Sequence, residues 1–148
     1  MARYSMDEAI RHKVLSIAGV SALLDDRLYA DDAAPQTPGF PYGTITLIGD
    51  ATRSRKLNGV NKDTTARYQL DFYGLTKASV RSIASLVSAR SDDGGIDGNK
   101  ATWGTGSTAA FVQTCKIDNV RHGSESPQSA GESRIYSVGF DAVIVFNE

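Results

Sequence analysis

Two histidines, one cysteine, a run of aspartates and a cluster of cations are the groups in this 148-residue chain with chemistry to offer. His12 stands between Arg11 and Lys13 on the polar side of a helical pattern, and His122 begins a connector, so both read as solvated imidazoles. Cys115 alternates with Phe111 and Ile117, which reads as a core thiol. Its neighbour Lys116 points to the other face, so nothing lowers the thiol pKa. The run DDGGIDGN invites a calcium loop. Taking Asp93 as first ligand puts Gly95 third and Gly104 twelfth, where an EF-hand needs an oxygen donor and a bidentate Glu. The motif fails and reads as a flexible acidic turn. TWGTGS lacks the Lys-Ser/Thr pair of a phosphate loop and reads as a glycine-rich loop with an exposed indole, Trp103. Arg53, Arg55, Lys56 and Lys62 outnumber Asp50 and Asp63 in one connection. They read either as a solvated loop tip or as a docking finger for an acidic partner or DNA phosphates. No aromatic residues alternate with these cations as a single-strand binder requires. These residues yield no catalytic, cofactor or metal site.

The bulk composition narrows the classes further. Sixteen Lys and Arg against seventeen Asp and Glu give a formal charge of −1, so no global positive field grips nucleic acid. One cysteine excludes an internal disulfide framework and fits a reducing compartment. Asp7, Glu8 and Arg11 interrupt the apolar run that a signal peptide needs, and no apolar stretch is long enough to span a bilayer. The expectation is a soluble protein made and kept in a cytoplasm, with residues 1–148 forming one domain.

The elements that must carry these groups are set by periodicity. Ser5 and Glu8 have capping-box spacing ahead of a helix with Met6, Ile10, Val14 and Ile17 on one face, interrupted at Gly19. A short apolar turn with Val20, Leu23 and Leu24 precedes a brief strand, DRLY. Pro35, Pro38 and Pro41 make the next segment a loop. YGTITLIG reads as a strand, leading into a long hairpin connection over residues 49–63. In RYQLDFYGLTKASVRSIASLV the period changes from two to helical at FYGLT. Tyr68, Leu70 and Phe72 face one way, Thr76 caps the helix, and Val80, Ile83, Ala84 and Val87 share a face. Residues 92–106 are so rich in Gly and Asp that order there requires an outside contact. A strand over 108–121, an exposed connector and a final strand with Tyr136, Val138, Phe140, Ala142, Ile144 and Phe146 on one face complete the chain. The fold class is α+β: a mainly antiparallel sheet, two helices packed on one face, and long exposed hairpin loops.

In this order the residues resemble a known family. Asp26-Arg27-Leu28-Tyr29, Phe40-Pro41-Tyr42, the strand QLDFYG with the helix after it, and the closing GFDAVIV are similar to the tail-terminator, or tail-completion, proteins of long-tailed bacteriophages, prophages and gene transfer agents. The loop over 92–106 is longer and richer in glycine than that family leads one to expect. The resemblance implies a virion protein without enzymatic activity or cofactor. It implies a ring of its own copies, typically six, on the head-proximal end of the tail tube at the tail-neck junction, assembled in the host cytoplasm. Its partners would be the major tail tube protein and a head-completion or connector protein, with a passing contact with DNA in the ring lumen and no membrane. Arg53, Arg55, Lys56 and Lys62 would then meet an adjacent subunit or the tube end. Other readings stay open: a different neck component, such as a head-completion protein, or a small ligand- or nucleic-acid-binding domain.

Overall fold

The computed structural model describes residues 6–30, 34–36, 38–55, 62–125 and 133–147. Helix α1, Met6–Leu15, buries Met6, Ala9, Ile10 and Val14 because their spacing puts them on one side. The expected capping residue Ser5 lies outside the described residues. Gly19, at φ 89°, breaks the helical path as expected, and the chain then forms a five-residue helix, α2, Val20–Leu24, in place of a turn. Strand β1, Leu28–Ala30, is tied to α1 by Arg11, whose Nε donates to the Leu28 carbonyl at 2.8 Å and Nη2 to that of Asp26 at 3.0 Å. The Tyr68 hydroxyl is hydrogen-bonded to Asp7 of the same helix. Helix α3, Lys77–Ser88, is capped by Thr76, whose Oγ1 accepts from the Ser79 amide at 3.2 Å, and it buries Val80, Ile83, Ala84 and Val87.

Strands β2 (Tyr42–Arg55), β3 (Lys62–Gly74), β4 (Ala101–Trp103), β5 (Ala110–Glu125) and β6 (Ile135–Asn147) complete a six-stranded sheet in the order β1-β2-β3-β6-β5-β4. Only β1 and β2 run parallel. The register sets like against like. Ile45 faces Leu70, Leu70 faces Phe140 and Phe72 faces Val138, so the alternation of each strand feeds one core. The Phe72 and Phe140 rings lie 6.0 Å apart, tilted by 43°. The core continues into Ile10, Val14, Val80, Ile83 and Val87, so the helices cover a single face of the sheet. Ile17 joins this core from beyond the end of α1, and Tyr136 sits partly buried at its margin.

Three expectations need correction. The first concerns residues 92–106, which are ordered by contacts within the chain. Ile96 and Trp103 are fully buried, the Trp103 indole donating to Asn99 Oδ1 at 2.6 Å while Asn99 Nδ2 donates to Ser91 Oγ at 2.9 Å. The amides of Ile96 and Asp97 donate to the carbonyls of Val87 and Ala89, and a Cβ at Gly95 would overlap the Ala89 carbonyl. Here glycine serves close packing. The second concerns Phe111, which shares no face with Cys115. A register shift between Val112 and Thr114 reverses the parity of the strand, burying Val112 and leaving Phe111 38% exposed. The third concerns where the two long connections begin, because their described ends are strand. Pairing continues to Arg55 and Lys62 in one hairpin and to Glu125 and Ile135 in the other.

Candidate interaction surfaces

With the helices on one side, the opposite face of the sheet carries no covering layer among the described residues. At its centre the alternate positions of β3, β6 and β5 bring together Arg67, Asp71, Asp141, Asp118 and Arg121. Asp141 Oδ2 accepts from Arg67 Nη1 and Oδ1 from Arg121 Nη1, each at 3.0 Å, and Asn119 Nδ2 adds a contact at 3.4 Å. Arg121 Nη2 stands 3.6 Å from Asp71 Oδ1, and Arg67 Nη2 stands 3.9 Å from Asp118 Oδ2. Gln69 Nε2 holds the other oxygen of Asp71 at 2.7 Å. Gly139 makes the room, because a Cβ there would overlap the Asp71 carboxylate.

This cover determines the electrostatics. The Asp141 side chain is only 6% exposed, yet what shields it is the pair of guanidinium groups, themselves 41% and 35% exposed. Burial pushes its carboxyl up, the hydrogen bonds from Arg121, Asn119 and Arg67 outweigh this, and the net pKa falls below the ordinary carboxylate value. Every carboxylate in the cluster is thus engaged by a cation or an amide. Such an arrangement stiffens a surface and presents the outer edges of Arg67 and Arg121 to a partner, without a free base to take a proton.

The remaining surfaces lie at the ends of the strands. The described pairing of β2 with β3 runs out to Arg55 and Lys62, at the end of the sheet where Asp63 meets Asn147. That of β5 with β6 runs out to Glu125 and Ile135, at the end where Gly74 meets Tyr136. The two hairpin arms therefore extend toward opposite ends of the sheet. At the β5–β6 end, Tyr42 stacks on Tyr73 at 4.9 Å, and Phe40 lies 5.4 Å from Tyr42. Burial pushes both tyrosine hydroxyls up, and Asp71 adds to the effect at Tyr73. On the helix side of the same end a groove of about 340 Å³ runs between α3 and the β5–β6 arm, lined by Lys77, Arg81, His122 and Tyr136 among others, with Lys77 Nζ 5.7 Å above the Tyr136 ring.

Of the four cations singled out from the sequence, Arg53 and Arg55 fall on the last turn-proximal positions of β2 and Lys62 on the first of β3, with Arg55 and Lys62 directly paired across the hairpin. Lys56 lies outside the described residues. The hairpin brings three of the four to one arm. Sequence reasoning missed the Arg67–Arg121–Asp141 cluster, for which the only local signal was an aspartate in the middle of an apolar strand. His12 and His122 lie at the surface, and burial pushes the Cys115 thiol up to about 12, with Asp97 adding to the shift. Among the described residues no group of three His, Cys, Asp or Glu side chains is placed to hold a metal ion. No described helix is long and apolar enough to cross a membrane.

No protein-family model matches the chain, and no curated protein matches it significantly. Among solved structures, the fold is similar to that of a chain in the virion of a native gene transfer agent particle. The TM-score is 0.56 at 15% sequence identity, over 94% of this chain and 93% of that one.

Proposed function

We propose that this chain is a structural protein of a phage-like particle, forming a ring on the head-proximal end of the tail tube that stops its growth and offers the surface on which the head docks. The observation that carries the reading is the fold likeness to a chain of a gene transfer agent virion over nearly the whole of both chains. The architecture suits the task. A part placed between a tube and a head needs separate surfaces for its own copies, for the tube below and for the head above. This sheet has two hairpin arms that extend toward opposite ends and a polar face without a covering layer among its described residues. A head-to-tail contact between copies closes into a ring when its rotation allows.

In this reading the basic arm with Arg53, Arg55, Lys56 and Lys62 meets carboxylates on an adjacent subunit or on the tube end. Exposed ion pairs contribute about 0.2–1 kcal/mol each, so single changes are tolerated, while replacing all four with Glu turns attraction into repulsion. The test supplies the quadruple variant, shown to be folded, to a particle system lacking the gene. Overlong or headless tails are the expected result. Heads and tails of normal length, properly joined, would eliminate the arm as the contact. Deleting the gene tests the function itself: overlong tails mark a terminator, normal-length tails without heads mark another neck component, and intact particles refute both.

A further inference from the structure

We infer that copies of this chain join edge to edge, the outer edge of β2 over residues 46–53 pairing antiparallel with the outer edge of β5 over residues 118–125 of the neighbouring copy. The inference deepens the ring reading and rests on it. The short strands β1 and β4 cover the outer edges of β2 and β5 over part of their length only. β1 pairs with β2 at residues 43–45, and among the described residues nothing pairs with β2 beyond them on that side. β4 pairs with β5 at residues 110–112, after which the Gly98 amide takes the Cys115 carbonyl and Asp97 Oδ1 takes the Ile117 amide. From Asp118 to Glu125 the outer edge of β5 carries no strand among the described residues. Unpaired backbone of this length invites strand addition.

The two free halves fit each other. They lie on opposite edges of the sheet and at opposite ends of it, and β2 and β5 run in opposite directions. Copies set side by side with the same face outward therefore meet antiparallel. Traced through the register, the middle of the free part of β2 lies level with Ile144 of β6, and the middle of the free part of β5 lies level with Val138 and Gly139. The offset of five to six residues is about 18 Å at ~3.4 Å per residue, across four inter-strand steps that total about 19 Å at ~4.8 Å each. Strands inclined by about 45° to the ring axis make up that offset, near the ~35–45° tilt at which curved sheets close. In this register β1 ends below the incoming β5 and β4 of the neighbour lies beyond Arg55, so the short strands do not collide.

Cysteine pairs test the register directly. Thr46 and Glu125 lie on the uncovered face and pair across copies in the inferred register, as do Ile48 and Gly123. Within one chain each pair is separated by β3 and β6, far beyond the ~7 Å between Cα atoms that a disulfide spans. Full-length Thr46→Cys/Glu125→Cys and Ile48→Cys/Gly123→Cys proteins, checked for native circular dichroism, are oxidised and run on non-reducing gels. The expected result is a ladder of covalent multimers from both double variants, lost on reduction, with dimers at most from each single variant. An oligomer by sedimentation whose double variants link no further than the singles would overturn the edge contact and leave the ring reading standing. A wild-type chain that stays monomeric at every concentration, with no ladder from either pair, would overturn both.

Discussion

Asp141→Asn tests the polar cluster on the uncovered face most sharply, because it keeps the shape of the side chain and removes the charge. The native carboxylate accepts from two guanidinium groups at 3.0 Å each. A charge-assisted hydrogen bond contributes about 1.5–3 kcal/mol, and breaking a buried ion pair costs about 3–5 kcal/mol. The lower figures apply here, because Arg67 and Arg121 are 41% and 35% exposed and can turn toward water when the carboxylate is gone. The expected loss is ~1.5–3 kcal/mol, or about 3–12 °C in melting temperature for a domain near this size. Its pH dependence has a definite sign. The folded pKa of Asp141 is depressed, so its contribution is complete above the unfolded value of about 3.9 and is lost as pH falls through the folded value. Urea titrations of both proteins should therefore show a constant gap from neutral pH to about 5, shrinking below about 4. A gap that persists undiminished at pH 2, or widens on acidification, would refute the assignment of Asp141 as the charged centre of the cluster.

Three further outcomes rest on the core. Phe72→Ala should lose about 3–5 kcal/mol by cavity formation beneath Phe140, seen as a lower urea midpoint at unchanged slope; unchanged melting would show the β3 register to be wrong. The single tryptophan, Trp103, should emit to the blue of the denatured chain and resist acrylamide quenching, and Asn99→Ala, by orphaning the indole N–H, should cost about 1–3 kcal/mol. Emission already at the denatured wavelength in the native protein would contradict the ordered loop. Cys115, its thiol pushed up to about 12, should react with an aromatic disulfide reagent only as fast as the chain unfolds, and immediate labelling at pH 8 would contradict its burial.

The parts of this fold that were legible in the sequence are those decided within a dozen residues. The alternation through Tyr68, Leu70 and Phe72, the Thr76 cap and the face of α3 depend on local periodicity and one side-chain hydrogen bond, and all appear where the pattern puts them. The glycine-rich segment went the other way because composition describes only the entropy that must be lost there. What repays it is invisible locally: Ala89 closing over Gly95, the Val87 carbonyl waiting for Ile96, and β4 packing against α1 and β5 with Trp103 buried. Phe111 shows a subtler limit, since one extra residue between Val112 and Thr114 exchanges the faces of everything before it.

The polar cluster was hidden for the same reason that makes it informative. Arg67 and Asp141 are 74 positions apart and Arg121 and Asp141 are 20 apart, so only the strand register brings them together. A polar side in an isolated strand reads as solvated, which is the right default for one strand. Across β3, β6 and β5 that same polar side becomes a paired lattice, with Gly139 left bare so that Asp71 can reach across it. The unburied face is thus neither a second core nor a loose solvated surface. Its ion pairs fix the relative positions of three strands while the outer edges of β2 past residue 45 and of β5 past residue 117 carry no paired strand among the described residues, the rigidity a ring subunit needs if those edges are to meet copies of themselves in one register.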